Sequence, residues 1–350
     1  MQVLTTIALI VIGILFFMLI IFSHEFGHFI TAKLSGVKVN EFAFGMGPAI
    51  WKKQGRETLY SIRLLPVGGF CAMEGEDGDS GDSADPRAFG NKKPWQKIVV
   101  LAAGSFMNII CAILIMSLII GIMGFTTTVI GEVAADMPAQ AAGMISGDKL
   151  LQIDDTQIVQ WADVSKAIQA SGGDAMEVTF ERNNEVKTVS VVPQLKDGVD
   201  AQGNPVQGYA LGVTCKISHN PFMAVVDGAQ STWNMVKMMF SALGQLFSGE
   251  AGVDELSGPV GMISMVSQTE EYGFWYYGFL TALICVNLAI INMLPLPALD
   301  GGRIIFVIYT MITGKTVSEK VEGTIHMVGM ALLLALMVFV TMNDITRIFG

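Results

Sequence analysis

The chain has 350 residues, 52% of them hydrophobic and 15% charged, with a mean hydropathy of +0.53. These values exclude a disordered chain, and because the apolar residues gather in charge-free runs they make it a membrane protein rather than a soluble globule. Lys and Arg number 21 against 31 Asp and Glu, a net charge of −10, and no Lys/Arg-rich block tracks phosphates, so nucleic acid is excluded as a partner.

Four stretches are long enough to cross a hydrocarbon core of about 30 Å: residues 3–23, 98–125, 274–299 and 326–343. The first has no Lys or Arg ahead of its apolar run, and that run continues through Phe26, Phe29 and Ile30, so it reads as a retained helix rather than a signal peptide. Residues 33–97 hold ten Lys/Arg, whereas 126–270 hold seven and an excess of acids. By the positive-inside rule the first connection is cytoplasmic and the large middle segment lies outside.

The expected order is a first transmembrane helix (1–36), a cytoplasmic-side β-loop and linker (37–97), and a second span (98–125). An outer mixed domain (126–196), an outer amphipathic helical region (197–273) and a third span (274–300) follow, then a cytoplasmic loop (301–325) and a last span (326–350). Within the β-loop, strands are expected at 37–44 and 58–65, punctuated by Gly45, Gly47, Pro48, Gly55, Gly68 and Gly69, with a Gly/Asp/Ser linker at 74–86. The outer domain reads as strands 129–133 and 150–153, helix 162–170, and a hairpin of 176–181 with 186–191 about Asn183-Asn184. Apolar residues at helical spacing predict a helix over 222–247. Cys71, Cys111, Cys215 and Cys285 form no C-x-x-C, so they suggest neither a zinc knuckle nor a disulfide framework.

The sharpest chemical signal is His24-Glu25-Phe26-Gly27-His28. With this chain's own His and Glu frequencies, about 0.002 H-E-x-x-H matches are expected by chance. Positions i and i+4 lie on one helix face, so both imidazoles meet one metal while Glu25 reaches the metal-bound water as general base. Zinc suits such mixed ligation and an open fourth position. The alternative, two interfacial histidines and a capping glutamate, leaves three ionisable groups on an apolar helix without a purpose.

A third protein ligand is needed, and His219, Glu319, Glu322, His326 and Asp300 are the candidates. The expected topology puts His219 on the far side and brings Asp300, closing the third span, to the level of His24. Glu319, Glu322 and His326 read as the solvated start of the last span. The run from Asn287 to Gly302 contains Pro295 and Pro297, which break a helix, and irregular backbone at membrane depth is tolerated where it lines a protein cavity. Asn287 and Asn292 are candidates to hold substrate backbone or to steady that loop, with helix–helix glue an equal alternative.

H-E-F-G-H on the first span, N-M-L-P-L-P-A-L-D-G-G near the third span's end and an outer domain between them resemble the site-2 protease family of intramembrane zinc metalloproteases, RseP-type. The resemblance implies Zn2+ on His24, His28 and Asp300, with Glu25 as base, in a multi-pass protein of the bacterial inner membrane. It further implies a membrane re-entrant β-loop over 42–70 containing Gly45, Gly68 and Gly69, and a G-x-x-x-N element, Gly104 to Asn108, placing Asn108 near the site. The outer domain is similar to a bacterial PDZ module through its Ala142-Gly143-Met144-Ile145-Ser146-Gly147-Asp148 turn. The implied fold class is a polytopic α-helical membrane protein of four transmembrane helices with a membrane-associated β-loop and an extracytoplasmic PDZ-like α/β domain. Its implied partners are the lipid bilayer and single-pass membrane substrates, anti-sigma factors or signal-peptide remnants. The rivals are a membrane PDZ scaffold with a structural or lost metal site, and a transporter; the latter lacks an internal inverted repeat.

Overall fold

Helix α1 (Gln2–Leu34) runs without interruption through the apolar segment and the H-E-F-G-H motif. In this computed structural model, which describes residues 2–76, 85–199, 205–250, 274–315 and 317–349, the helix ends in a Schellman turn. Gly36 adopts φ +69°, its N–H donates to Lys33 O, and the Val37 N–H donates to Ala32 O at 2.8 Å. That closure seats Val37 and Val39 beside Ala32, Cys71, Met73 and Val100.

Strands β1 (Val39–Gln54) and β2 (Leu59–Met73) pair with repeated register shifts. Residues 41–44 face 69–72 on one side and 59–62 on the other, so the hairpin folds back on itself as a small curled sheet. Both strands are longer than expected because Gly45, Gly47 and Gly68 adopt φ of +82° to +86° and bend the strands where residues with a Cβ would end them. Phe29 on α1 packs against Phe42 at 4.8 Å between centroids, joining sheet to helix. The remaining part of the expected linker, residues 77–84, lies outside the described residues.

Among the described residues four helices are long and apolar enough to span a membrane, with candidate segments Gly13–Leu34, Pro94–Met123, Trp275–Asn292 and Lys320–Thr346. They lie in α1, α2 (Pro94–Met123), and two later helices, Phe274–Asn292 and Glu319–Phe349. Three expectations change in this region. The third helix stops at Asn292, short of 299. The expected loop at 301–325 contains a helix, Asp300–Thr313, whose apolar run from Ile304 to Ile308 was too short to register as a span. The last helix begins ahead of 326, its polar first turns having masked its start.

The chain divides into two compact units, residues 1–119 with 225–350, and residues 120–224. In the second unit, β3 (Phe125–Val133), β4 (Lys149–Ile153), β5 (Thr156–Gln157), β6 (Met176–Arg182) and β7 (Glu185–Val191) are joined by short helix α3 (Pro138–Ala141) and α4 (Trp161–Ala170). β8 (Gln194–Val199) and β9 (Pro205–Ala210) form a separate pair, and β10 (Val213–Ser218) returns to β3, giving the order β10-β3-β4-β6-β7. Asn183 and Asn184 take φ of 52° and 64° in the tight turn between β6 and β7. The expected boundary at 196 is therefore too early: β10 completes the sheet, and buried Leu211 belongs to the core with Ile130, Leu150, Val178 and Phe180. The segment 197–273 is not uniformly helical either. Strands occupy 205–218, α5 (Pro221–Ser248) follows, and 251–273 lie outside the described residues. We number the remaining helices α6 (Phe274–Asn292), α7 (Asp300–Thr313) and α8 (Glu319–Phe349).

Candidate metal centre and active site

One turn of α1 separates His24 from His28, and their rings meet edge to face at 4.8 Å. The two Nε2 atoms lie 3.2 Å apart, and Asp300 Oδ2, in the first turn of α7, is 3.2 Å from the first and 3.4 Å from the second. Four tetrahedral ligands about 2.0–2.1 Å from zinc stand roughly 3.3 Å apart. The triangle has that edge. His28 Nδ1 lies 2.8 Å from the Val100 carbonyl of α2, which requires its proton on Nδ1 and leaves the Nε2 lone pair facing inward. Asp300 Oδ2 is buried with no hydrogen-bond donor. A cation satisfies this convergence of acceptors, and the residues present fit zinc. They are the one such group of three or more His, Cys, Asp and Glu among the described residues.

The walls explain the glycines around these side chains. A Cβ at Gly104 of α2 would overlap His28 Nε2 and come within 2.7 Å of His24 Cε1. At Gly27 it would strike the Ala103 carbonyl, so the second glycine lets α1 approach α2. Gly301 and Gly302 lie against the carbonyls of Met293, Leu294 and Leu296, folding the L-P-L-P segment tightly over the start of α7. An acid in the first turn of a helix is also favoured by the helix dipole.

The structure gathers most, not all, of the other candidates. The Asn292 amide lies 3.3 Å from His24 Nε2. Asn108 is fully buried and accepts a hydrogen bond from Ser23, the residue before His24, at 2.7 Å. A Cβ built on Gly69 would be 3.4 Å from Glu25 Cγ, so the β2 backbone runs beside the proposed base. Gly45 and Gly68 shape the bends at the same end of that sheet. Asn287 is different: its Oδ1 is buried without a partner, and no hydrogen bond among the described residues joins it to the cluster. Pro295 and Pro297 lie in the connection between α6 and α7, and Pro297 packs against Gly329 of α8. Sequence reasoning missed what fixes this connection. His326 contacts the loop rather than marking a solvated helix start, its Nδ1 accepting the Ala298 N–H at 2.7 Å.

The model for "Peptidase family M50" matches residues 12–336. The chain belongs to peptidase family M50. This family comprises the site-2 proteases, so the protein is a zinc metalloprotease of the intramembrane type in a multi-pass bacterial membrane protein. Zinc metalloprotease RasP of Oceanobacillus iheyensis is 31% identical over 417 aligned positions, covering 96% of this chain and 98% of that one. RasP of Geobacillus kaustophilus is 29% identical, covering 94% and 96%. A Clostridium acetobutylicum relative, provisionally named as a zinc metalloprotease, is 35% identical, covering 96% and 97%. A solved PDZ domain of an SdrC-like protein from Listeria monocytogenes is similar to 26% of the M50 chain and 88% of its own, at 16% identity and a TM-score of 0.21, too low to carry weight.

Proposed function

We propose that this M50 protease cuts single-pass membrane proteins within or near their transmembrane segment after their outer part has been trimmed, as in regulated intramembrane proteolysis or clearance of signal-peptide remnants. The observation that carries this reading is the position of the metal cluster: two of its three residues sit on a helix of membrane-spanning length, and both imidazoles are buried. His24, His28 and Asp300 would hold the zinc, which when bound would supply a Lewis acid that polarises the scissile carbonyl and acidifies the attacking water. Glu25 would be the base, its carboxylate taking a proton from the attacking water and passing it to the leaving amine. The Val100 carbonyl keeps His28 in the metal-binding tautomer, Asn108 holds Ser23, the residue before His24, and Asn292 stands beside the His24 ligand nitrogen.

A substrate helix must unwind to expose its backbone, and freed polar groups must then be satisfied by protein. The β-loop beside Glu25 supplies strand edges for pairing. Its glycines Gly45, Gly68 and Gly69, Asn287 on α6, and the broken segment with Pro295 and Pro297 shape the space for such a strand. The excess of Lys and Arg over 33–97 supports a cytoplasmic β-loop with the 120–224 unit outside, and the glycine-punctuated turn at Asp148 supports its reading as a PDZ-like module.

Zinc-loaded protein in lipid vesicles, given a single-pass substrate already trimmed on its outer side, should yield products whose new ends map inside or at the border of the apolar segment by mass spectrometry. Cuts confined to soluble, extended regions refute the intramembrane assignment.

A further inference from the structure

Outside the 120–224 unit, Ala298 is the one non-glycine residue among those described with a left-handed backbone, at φ +73°. A Cβ disfavours that conformation, which persists where the surroundings over-determine it. Here the surroundings belong to α8. The Ala298 N–H donates to His326 Nδ1 at 2.7 Å. The imidazole is largely buried, lies against the Phe306 ring at 5.6 Å between centroids, and has Nε2 3.8 Å from Glu322 Oε1. Three residues on, Gly329 presents no side chain, and a Cβ there would overlap Pro297. One face of α8 thus grips residues 297 and 298 through a hydrogen bond and a close contact, two residues ahead of Asp300.

We propose that His326 is a positioning residue for Asp300. It touches neither metal nor substrate. By binding the Ala298 N–H it holds the left-handed turn that starts α7, so that Asp300 Oδ2 faces both imidazole Nε2 atoms. Without that acceptor, Ala298 relaxes toward the ordinary backbone region and the carboxylate swings off the triangle. The proposal rests on the reading of Asp300 as the third zinc ligand.

The test uses the detergent-solubilised full chain and measures zinc affinity by competition with a chromogenic chelator. An Asn side chain places its Oδ1 where a His places Nδ1, whereas Gln carries its oxygen one bond further out. His326→Ala and His326→Gln should therefore weaken zinc binding about 10- to 100-fold, the usual cost of losing a supporting partner of a metal ligand, and His326→Asn should stay near the parent. Glycine has no penalty at positive φ, so Ala298→Gly added to His326→Ala should recover most of the loss. Parent affinity in His326→Ala overturns the proposal, as does an equal loss in the Asn and Gln variants or a double variant no better than His326→Ala. Asp300→Asn, run in parallel, separates the two readings. If it keeps parent affinity the ligand assignment fails, whereas loss there with parent affinity in His326→Ala overturns the positioning role alone.

Discussion

His24 and His28 contribute to one site because a helix brings i and i+4 together, and that geometry needs no information from elsewhere in the chain. This is why the two imidazoles were legible in the sequence. Gly104 was not, because the atoms that forbid a side chain there belong to α1, 76 residues earlier. Glu25→Gln separates base from ligand: the amide cannot accept the water's proton, yet neither imidazole nor Asp300 is disturbed. Turnover should fall at least about 100-fold, with one zinc per chain still measured by atomic absorption. Turnover close to the parent rate rules Glu25 out as the base. Gly104→Ala tests the wall. Its Cβ meets His28 Nε2, and overpacking of this kind costs about 1–3 kcal/mol, so zinc retention and activity should fall together. Unchanged metal content in Gly104→Ala would mean that α2 does not confine the imidazoles.

Single elements were readable where one physical rule governs them. The hairpin of β6 and β7 announced itself through alternating apolar residues and two asparagines that tolerate positive φ. α7 did not, since it is too short for a span and is anchored by Asp300 and two glycines whose neighbours are the carbonyls of the preceding loop. β10 was missed for a similar reason: its partner β3 lies about 90 residues earlier, and long-range pairing leaves no local mark. The Gly147-Asp148 turn shows what its sequence pattern secures. Asp148 is buried, accepts the Ile145 N–H at 2.9 Å and pairs with Arg182 at 2.7 Å, while Arg182 also binds the Gly143 carbonyl at 2.8 Å. Burial alone raises the Asp148 pKa, but the Arg182 hydrogen bonds and charge and the Ile145 N–H more than offset it and hold the carboxyl below its usual range. A folded-state pKa that is depressed stabilises the sheet at pH above the unfolded value of about 3.9, and the stabilisation is lost as pH falls through the folded value. Hydrogen-exchange protection of β3, β4 and β6 should therefore hold between pH 5 and 7 and weaken below about pH 4. Arg182→Met should lower that protection at pH 7 by taking both guanidinium hydrogen bonds from the buried carboxylate. Protection that is indifferent to Arg182 removes this pair from the account of the sheet's stability.

At the scale of the whole molecule, the sequence separated membrane spans from a folded insert because hydropathy and charge are additive along the chain, but it misplaced the insert's edge because sheet closure is not. That edge decides how the insert's function is tested. The metal cluster lies entirely within the unit formed by residues 1–119 and 225–350, and among the described residues no second cluster of metal ligands occurs in 120–224. Among its described residues the insert holds no second metal cluster, and we propose that it restricts which substrates enter. On the topology proposed above, cysteines placed at Gln54 and Asn184 in a cysteine-free background should label from opposite sides of the membrane, and labelling of both from one side removes the basis for an outer gate. Excising residues 126–196, the outer domain expected from local patterning, would strip β10 of its partner and expose the apolar groups that pack around Leu211. The physically consistent excision is 125–218, which removes β3 and β10 together and joins Gly124 to the residues just ahead of α5. If the insert excludes substrates that still carry a bulky outer domain, the shortened protein should cleave untrimmed and trimmed substrates at comparable rates, and Glu25→Gln should abolish both cleavages. Loss of trimmed-substrate cleavage, with zinc content and membrane insertion intact, would instead make the insert a recruiting module: an excluding gate can be removed without cost to a substrate that already passes it, whereas a docking surface cannot.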